Sequence, residues 1–406
     1  MIYYQNYTIS VFYICERENN MSKVVLTKCD SYDFITVNNK IKKSIDHLGG
    51  FGHFIKKNNK VFIKLNCVGP FSPELGITSH PIFIQAIIKL VKEYTNNITI
   101  GDNPATKDLI YTLKKCGLYK MILEENIKIF NGKPSCEITN KKAKYFQCFQ
   151  VSKEMVDTDV LINVPKLKTH SLTYMSIAQK NLFGFIYGLD KAGWHVKAKN
   201  SLQFAETLND LYGAILVAFS NKKILNICDG IVGIEGDGPS RAGLTKKAGI
   251  IIASEDAVSL DRIAVEIVGL NHNLFFLNKI ANERSYGEGN LNNIVILGNQ
   301  LSDFKNIQFK APQNPLSSFT LKLLKIKRLR NILLEHPVVV NDFCLQCGEC
   351  INICPPKVLS VNAEGLPVIN KTQCIRCWCC MEVCPQNAIT KSKRPILGKI
   401  FLKHFK

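Results

Sequence analysis

CLQCGECINICP at 344–355 and CIRCWCCMEVCP at 374–385 repeat one spacing, Cys-x2-Cys-x2-Cys-x3-Cys-Pro, at an interval of 30 residues. Thiolates in this pattern suit a pair of [4Fe–4S] clusters. Three cysteines in one tight loop reach three irons of a cubane, and the fourth, a turn later, points to the other cluster. The spacing therefore predicts that Cys344, Cys347 and Cys350 share one cluster with Cys384. Cys374, Cys377 and Cys380 are expected to share a second with Cys354. Pro355 and Pro385 turn the chain after the crossing ligand and bring no competing N–H. Zinc ribbons pair two Cys-x2-Cys knuckles instead of running three cysteines into a crossing fourth. A disulfide framework needs an oxidising compartment, to which nothing in the sequence points. Cys379 falls outside the register and reads as a spare thiol beside the second cluster.

Outward from this stretch, basic residues gather on both sides. The chain carries 52 Lys and Arg against 33 Asp and Glu, a formal charge of +19. Much of the excess lies in Leu321 to Arg330 and in Lys391 to Lys406, where Lys and Arg alternate with Leu, Ile and Phe as in basic amphipathic helices. An acidic redox partner, an anionic substrate or peripheral membrane contact through these helices each fits such a charge. Aromatic–basic interleaving of the kind that stacks bases is weak, which disfavours nucleic acid. No run of 18 apolar residues appears, so no transmembrane segment is expected. Val11 to Cys15 is too short for a signal-peptide core, and a cytoplasmic location is the expectation. Residues 1–20 carry no clear period and read as an extension upstream of a start at Met21.

Between 21 and 298 the pattern changes to apolar strands separated by helices. KVVLTK (23–28), VFIKL (61–65), Ile98–Ile100, DVLINV (159–164), Ile224–Cys228, Gly249–Ala253 and Ile294–Leu297 read as strands; helices are expected at 81–94, 202–219 and 257–268. Near-continuous apolar strands alternating with helices imply an α/β fold, a mainly parallel sheet flanked by helices. A linker with the basic helix follows at 299–340, then a small bacterial-ferredoxin-like α+β domain at 341–390 and a basic tail at 391–406.

In such sheets ligands bind beyond the carboxyl ends of the strands. Polar residues there include Asn66 to His80, Gly101-Asp102-Asn103-Pro104, Lys166 to His170 running on to Lys180 and Asn181, and a Gly-rich acidic loop from Asp229 to Pro239. His80 before Pro81 is the commoner capping arrangement, and Asp229-Gly230 by itself is a common turn. Taken together, Lys166, Lys168, His170, Lys180, Asn181 and Asp229 outline a site for an anion: lysines hold it as point charges, and a histidine passes a proton. No Gly-x-Gly-x-x-Gly or Walker A sequence marks a nucleotide cofactor.

LINVPKLKTHSLTYMSIAQKNLFG (161–184), DGIVGIEGDGPSRAG (229–243) and SEDAVSLDRIAVEIVG (254–269) resemble the family called domain of unknown function 362. The resemblance spans about residues 23 to 390 and includes the form fused to a two-cluster ferredoxin module, in which Cys379 looks like a family feature. It implies two [4Fe–4S] clusters and no particular reaction. Relatives often show Ser where Asn103 stands here. The residues point to an iron–sulfur redox protein, a ferredoxin-type reductase passing electrons to or from a small anion. The alternative is a carrier or adaptor that docks an acidic partner protein.

Overall fold

The computed structural model describes residues 21–104, 108–186, 190–198, 200–313 and 327–403. The expected extension at 1–20, the basic stretch up to residue 326 and the last three residues of the tail lie outside them. The large unit is built on strands β1 (Ser22–Lys28), β2 (Val61–Lys64), β3 (Ile98–Gly101) and β4 (Lys128–Ile129), with a separate hairpin of β5 (Ser135–Thr139) and β6 (Cys148–Ser152). It continues through β7 (Val160–Asn163), β8 (Lys166–His170), β9 (Tyr174–Ser176), β10 (Lys223–Gly236), β11 (Gly243–Ser254) and β12 (Ile294–Gly298). The sheet order is β12-β1-β11-β10-β7-β2-β3-β4, with β8 and β9 attached to β10. Every pairing is parallel except those of β11 with its two neighbours and of β8 with β9. This is the mainly parallel α/β fold that the apolar strand runs predict.

Strand alternation divides the core between two faces. Val61, Ile63, Leu65, Val160 and Ile162 pack on one side with helices Phe34–Asp46 and Pro81–Lys92. Phe62 and Leu161 point to the other, under helices Ser201–Ala218 and Ala257–Ile267. Lys64 and Asn163, directly paired at the ends of β2 and β7, fall on the second face by the same parity. His80 caps the helix behind it, its Nδ1 accepting from the Ile82 N–H at 3.3 Å.

Two stretches expected as loops are strands. After Pro165 the chain continues as β8, and DGIVGIEG remains extended within β10 to Gly236, with a register shift between Gly230 and Val232. The glycines are needed for close approach, but to backbone. A Cβ on Gly233 would stand 2.4 Å from the Leu167 carbonyl oxygen of β8. The acidic loop thus begins only at Asp237, and its carboxylate binds Lys391 of the C-terminal module at 2.5 Å.

That module pairs β13 (Pro337–Val339) with β16 (Ile389–Lys391) and β14 (Leu359–Val361) with β15 (Pro367–Ile369), each antiparallel. Short helices Glu349–Ile353 and Cys379–Val383 lie between them. Its two halves repeat their backbone at the 30-residue interval. Gln346 and Arg376, Gly348 and Trp378, and Lys357 and Asn387 all take positive φ, between 53° and 73°.

Candidate functional site

The structure brings Cys344, Cys347, Cys350 and Cys384 round one cavity, and Cys354, Cys374, Cys377 and Cys380 round another. Burial, and after it the neighbouring Cys347, Cys384 and Cys344, pushes the Cys350 thiol up to about 11. Burial followed by Cys377 and Cys374 raises Cys380 likewise. Thiols that resist ionising together are relieved by a bound cationic centre, so the donor sets fit metal-cluster ligation. Among the described residues no three His, Cys, Asp or Glu are set to hold a single metal ion. A cubane's four thiolates stand on separate irons, whereas the ligands of one zinc crowd within about 2.3 Å of it. Backbone N–H groups already face the sulfurs. Gln346 and Arg376 donate to Cys344 and Cys374 at 3.4 Å, Val358 to Cys354 at 3.4 Å and Ala388 to Cys384 at 3.2 Å.

A third cavity, about 100 Å³, lies between the module and the sheet. His170, Lys180, Asn181 and His195 line it from the large unit, and Cys379 and Glu382 from the second cysteine repeat. The His170 Nδ1 accepts from the N–H groups of Leu172 at 3.0 Å and Thr173 at 3.4 Å. A neutral ring so engaged carries its proton on Nε2, which stands 3.5 Å from Glu382 Oε1. Burial, then Lys180, holds His170 well below the usual histidine range. Burial drives Glu382 up to about 7, opposed by Lys180 and Lys168.

Lys168 stands one layer behind. Its Nζ donates to Asn66 Oδ1 at 2.6 Å and to the Ile77 carbonyl at 2.9 Å, and burial, then Lys166 and Lys180, brings it down to about 7. Asn66 opens a chain of buried amides: Asn66 donates to Asn181 at 2.7 Å, Asn181 to Asn163 at 2.8 Å, and Asn163 to Asn226 at 2.8 Å. With each carbonyl engaged, the Asn181 amide is held in one orientation. Lys64 pairs with Asp102 at 2.6 Å on the same side. Gly184 leaves room for this pair, since a Cβ there would come within 2.5 Å of both side chains.

Lys166 and Asp229 do not reach this cavity's wall. They bind each other at 2.7 Å and share the Tyr32 hydroxyl, at 2.6 and 2.8 Å, while Tyr32 stacks on His80 at 3.6 Å. Every charge in that group is satisfied locally, which marks it as a fixed pillar under the site. Lys64, Asn66, Asn163, His195, Asn226 and Glu382 join the site without having stood among the six residues expected to form it. Asn163 and Asn226 did leave a signal, a lone amide in each of the apolar runs LINV and ILNIC.

Residues 61–266 match the domain of unknown function DUF362, about half of the chain. The chain belongs to the DUF362 family. Residues 367–390 match a 4Fe-4S binding domain, so the DUF362 domain is followed by an iron–sulfur module. A thylakoid-associated protein of Synechocystis sp. is 31% identical to this DUF362 chain over 252 residues, 62% of the chain and 76% of the relative. The lactate racemase apoprotein from Thermoanaerobacterium thermosaccharolyticum aligns with a TM-score of 0.37 and 13% identity, over 61% of this chain and 57% of its own length. No helix among the described residues is long and apolar enough to cross a membrane.

Proposed function

We propose that this DUF362 protein binds two [4Fe–4S] clusters, one on each of the two cysteine sets, and exchanges electrons with a small anion held in the interdomain cavity. The observation that carries the reading is the shared wall: Cys379 and Glu382, beside ligand positions of the second repeat, face Lys180, His170 and Asn181 across one space. When bound, clusters of this type take up and release single electrons. Lys180 supplies the cation for the anion. The His170 Nε2–H faces the same space, ready to donate, and the amide chain holds Asn181 in place.

The test is anaerobic. Protein reduced and freed of reductant is mixed with the small-molecule fraction of a cell extract, and the cluster absorbance is followed. Reoxidation by wild type but not by Lys180→Ala/His170→Ala supports the site. Equal reoxidation of both sinks it.

A second reading, a carrier without a substrate, is favoured by the rim of the first cysteine set. Phe343, Leu345, Val361 and Val368 are exposed there beside an exposed Cys347. Reoxidation that waits for an added protein fraction, and weakens with salt, identifies this case. Peripheral membrane contact belongs to the same reading. The helix Ile396–Lys403 exposes Ile396, Leu397 and Ile400 beside Lys399, and the relative named above is described as thylakoid-associated. Co-sedimentation with anionic but not neutral vesicles is the expected outcome.

A further inference from the structure

Two residues of the cavity wall each carry a buried polar atom without a hydrogen-bond partner: His195 Nδ1 and Glu382 Oε1. They come from opposite sides. His195 lies in the helix Asp190–Lys197 of the large unit, 7% exposed, its ring stacked on Phe204 at 4.3 Å. Glu382 lies in the helix Cys379–Val383, which also carries Cys380 of the second cysteine triplet. Buried polar atoms are nearly always paired, and an orphan costs about 1–3 kcal/mol. Both residues line one space, so an occupant there is placed to satisfy them.

The wall also limits what that occupant is. Lys180 lies over the Phe183 ring at 4.6 Å and has no carboxylate within ion-pairing distance among the described residues; burial holds its ammonium below the usual lysine range, and an anion in the space would restore its charge. The Lys64–Asp102 pair is neutral in sum. The carboxyl group of Glu382 on the far wall offers nothing to a second negative charge, so a monoanion fits the space better than a dianion such as phosphate. Apart from the His170 Nε2 at 3.5 Å, which makes no hydrogen bond to it, the Glu382 Oε1 has no donor nearby and can take one from a ligand. At about 15 Å³ per water-sized atom, the space holds roughly seven such atoms.

We propose that the interdomain cavity binds a small monocarboxylate bearing a hydroxyl or amino group, with its carboxylate on Lys180 and His195 and its donor on Glu382. The proposal rests on the substrate-site reading above and adds the ligand class and two binding residues, His195 and Glu382.

Three probes on one three-carbon carboxylate backbone decide it: glycerate and serine, which carry donors, and propionate, which carries none. Each is titrated calorimetrically into the anaerobic, cluster-loaded full chain. Glycerate or serine is expected to bind at least about tenfold tighter than propionate, the scale of one charge-assisted hydrogen bond. Glu382→Met is expected to erase that preference, read as the ratio of the donor-bearing probe's affinity to that of propionate in the same variant. Lys180→Met and His195→Phe are expected to weaken all three. Iron content and cluster absorbance, measured on every variant, keep the two readings apart. A chain that holds no iron defeats the electron-transfer reading whatever it binds. A loaded chain that binds no probe, that binds propionate equally well, or that keeps its preference in Glu382→Met overturns the ligand class alone.

Discussion

The two halves of the C-terminal module share a spacing and a backbone but not a setting. In the first half Cys347 is exposed, Leu345 and Phe343 project outward, and left-handed residue 348 is glycine. In the second, Cys374, Cys379 and Cys380 are buried, left-handed residue 378 is a buried tryptophan, and Lys391 lies over its ring at 5.3 Å. Arg376, the counterpart of exposed Gln346, is buried and donates to the Glu335 carbonyl at 2.7 Å and the Cys374 carbonyl at 3.1 Å. The repeat fixes how four sulfurs meet. Contact with Glu335, and with the large unit at Cys379 and Glu382, makes the second half an inner face and leaves the first an outer one.

The largest test separates the halves by their ligands. Cys350→Ala and Cys380→Ala are each expected to lower iron from about eight atoms per chain to about four, measured by metal analysis after anaerobic reconstitution. A chain that keeps all its iron in either variant, or that never held more than about four, breaks the two-site account. A bulky chelator should strip iron first from the exposed half, so Cys380→Ala, which keeps only that half, should lose iron faster than Cys350→Ala. Equal rates would show that burial does not distinguish them.

A pH test follows, because buried ionisable groups stand behind the inner half. Lys168 sits at about 7 in the folded protein against 10.5 ordinarily. The unfolded chain therefore binds the proton that the folded chain refuses, and stability rises with pH between those values, by at most about 1.4 kcal/mol per unit. Chemical denaturation at pH 7 and 9 should show the rise in wild type and a flatter profile in Lys168→Met. The smallest effects concern the paired left-handed residues. A Cβ added at Gly348 would meet nothing within 4 Å, so Gly348→Ala should cost only backbone strain, about 1–2 kcal/mol. Trp378→Gly relieves similar strain but gives up a buried indole worth about 2–3 kcal/mol, for a net loss of roughly 1 kcal/mol. A stabilised Trp378→Gly would mean that the tryptophan's packing contributes nothing.

Much of the large unit was legible because its signals are local. VFIK and VLIN are apolar on both parities, which only a strand covered on both faces requires, and they stand as β2 and β7. The loops were harder to read. Lys166 to His170 and Asp229 to Gly236 carry charges and glycines that read as loop, yet they pair with each other as strands, because the glycines admit a neighbouring backbone that lies far away in sequence. The candidate site divided for a similar reason. Lys166 and Lys168 are two residues apart, but one is neutralised by Asp229 and the other turned into an amide network. Charge is visible in a sequence; the partner that cancels it is not.

Spacing and periodicity over a few residues were enough for the α/β class of the large unit and for an iron–sulfur module that follows it along the chain. The inward setting of the second repeat came only with the folded chain, as did the cavity that Cys379 and Glu382 share with His170, Lys180 and His195. These groups come from segments up to about two hundred residues apart. Their meeting is set by how the module seats on the sheet, through contacts such as Lys391 with Asp237, and no local pattern encodes a contact of that range.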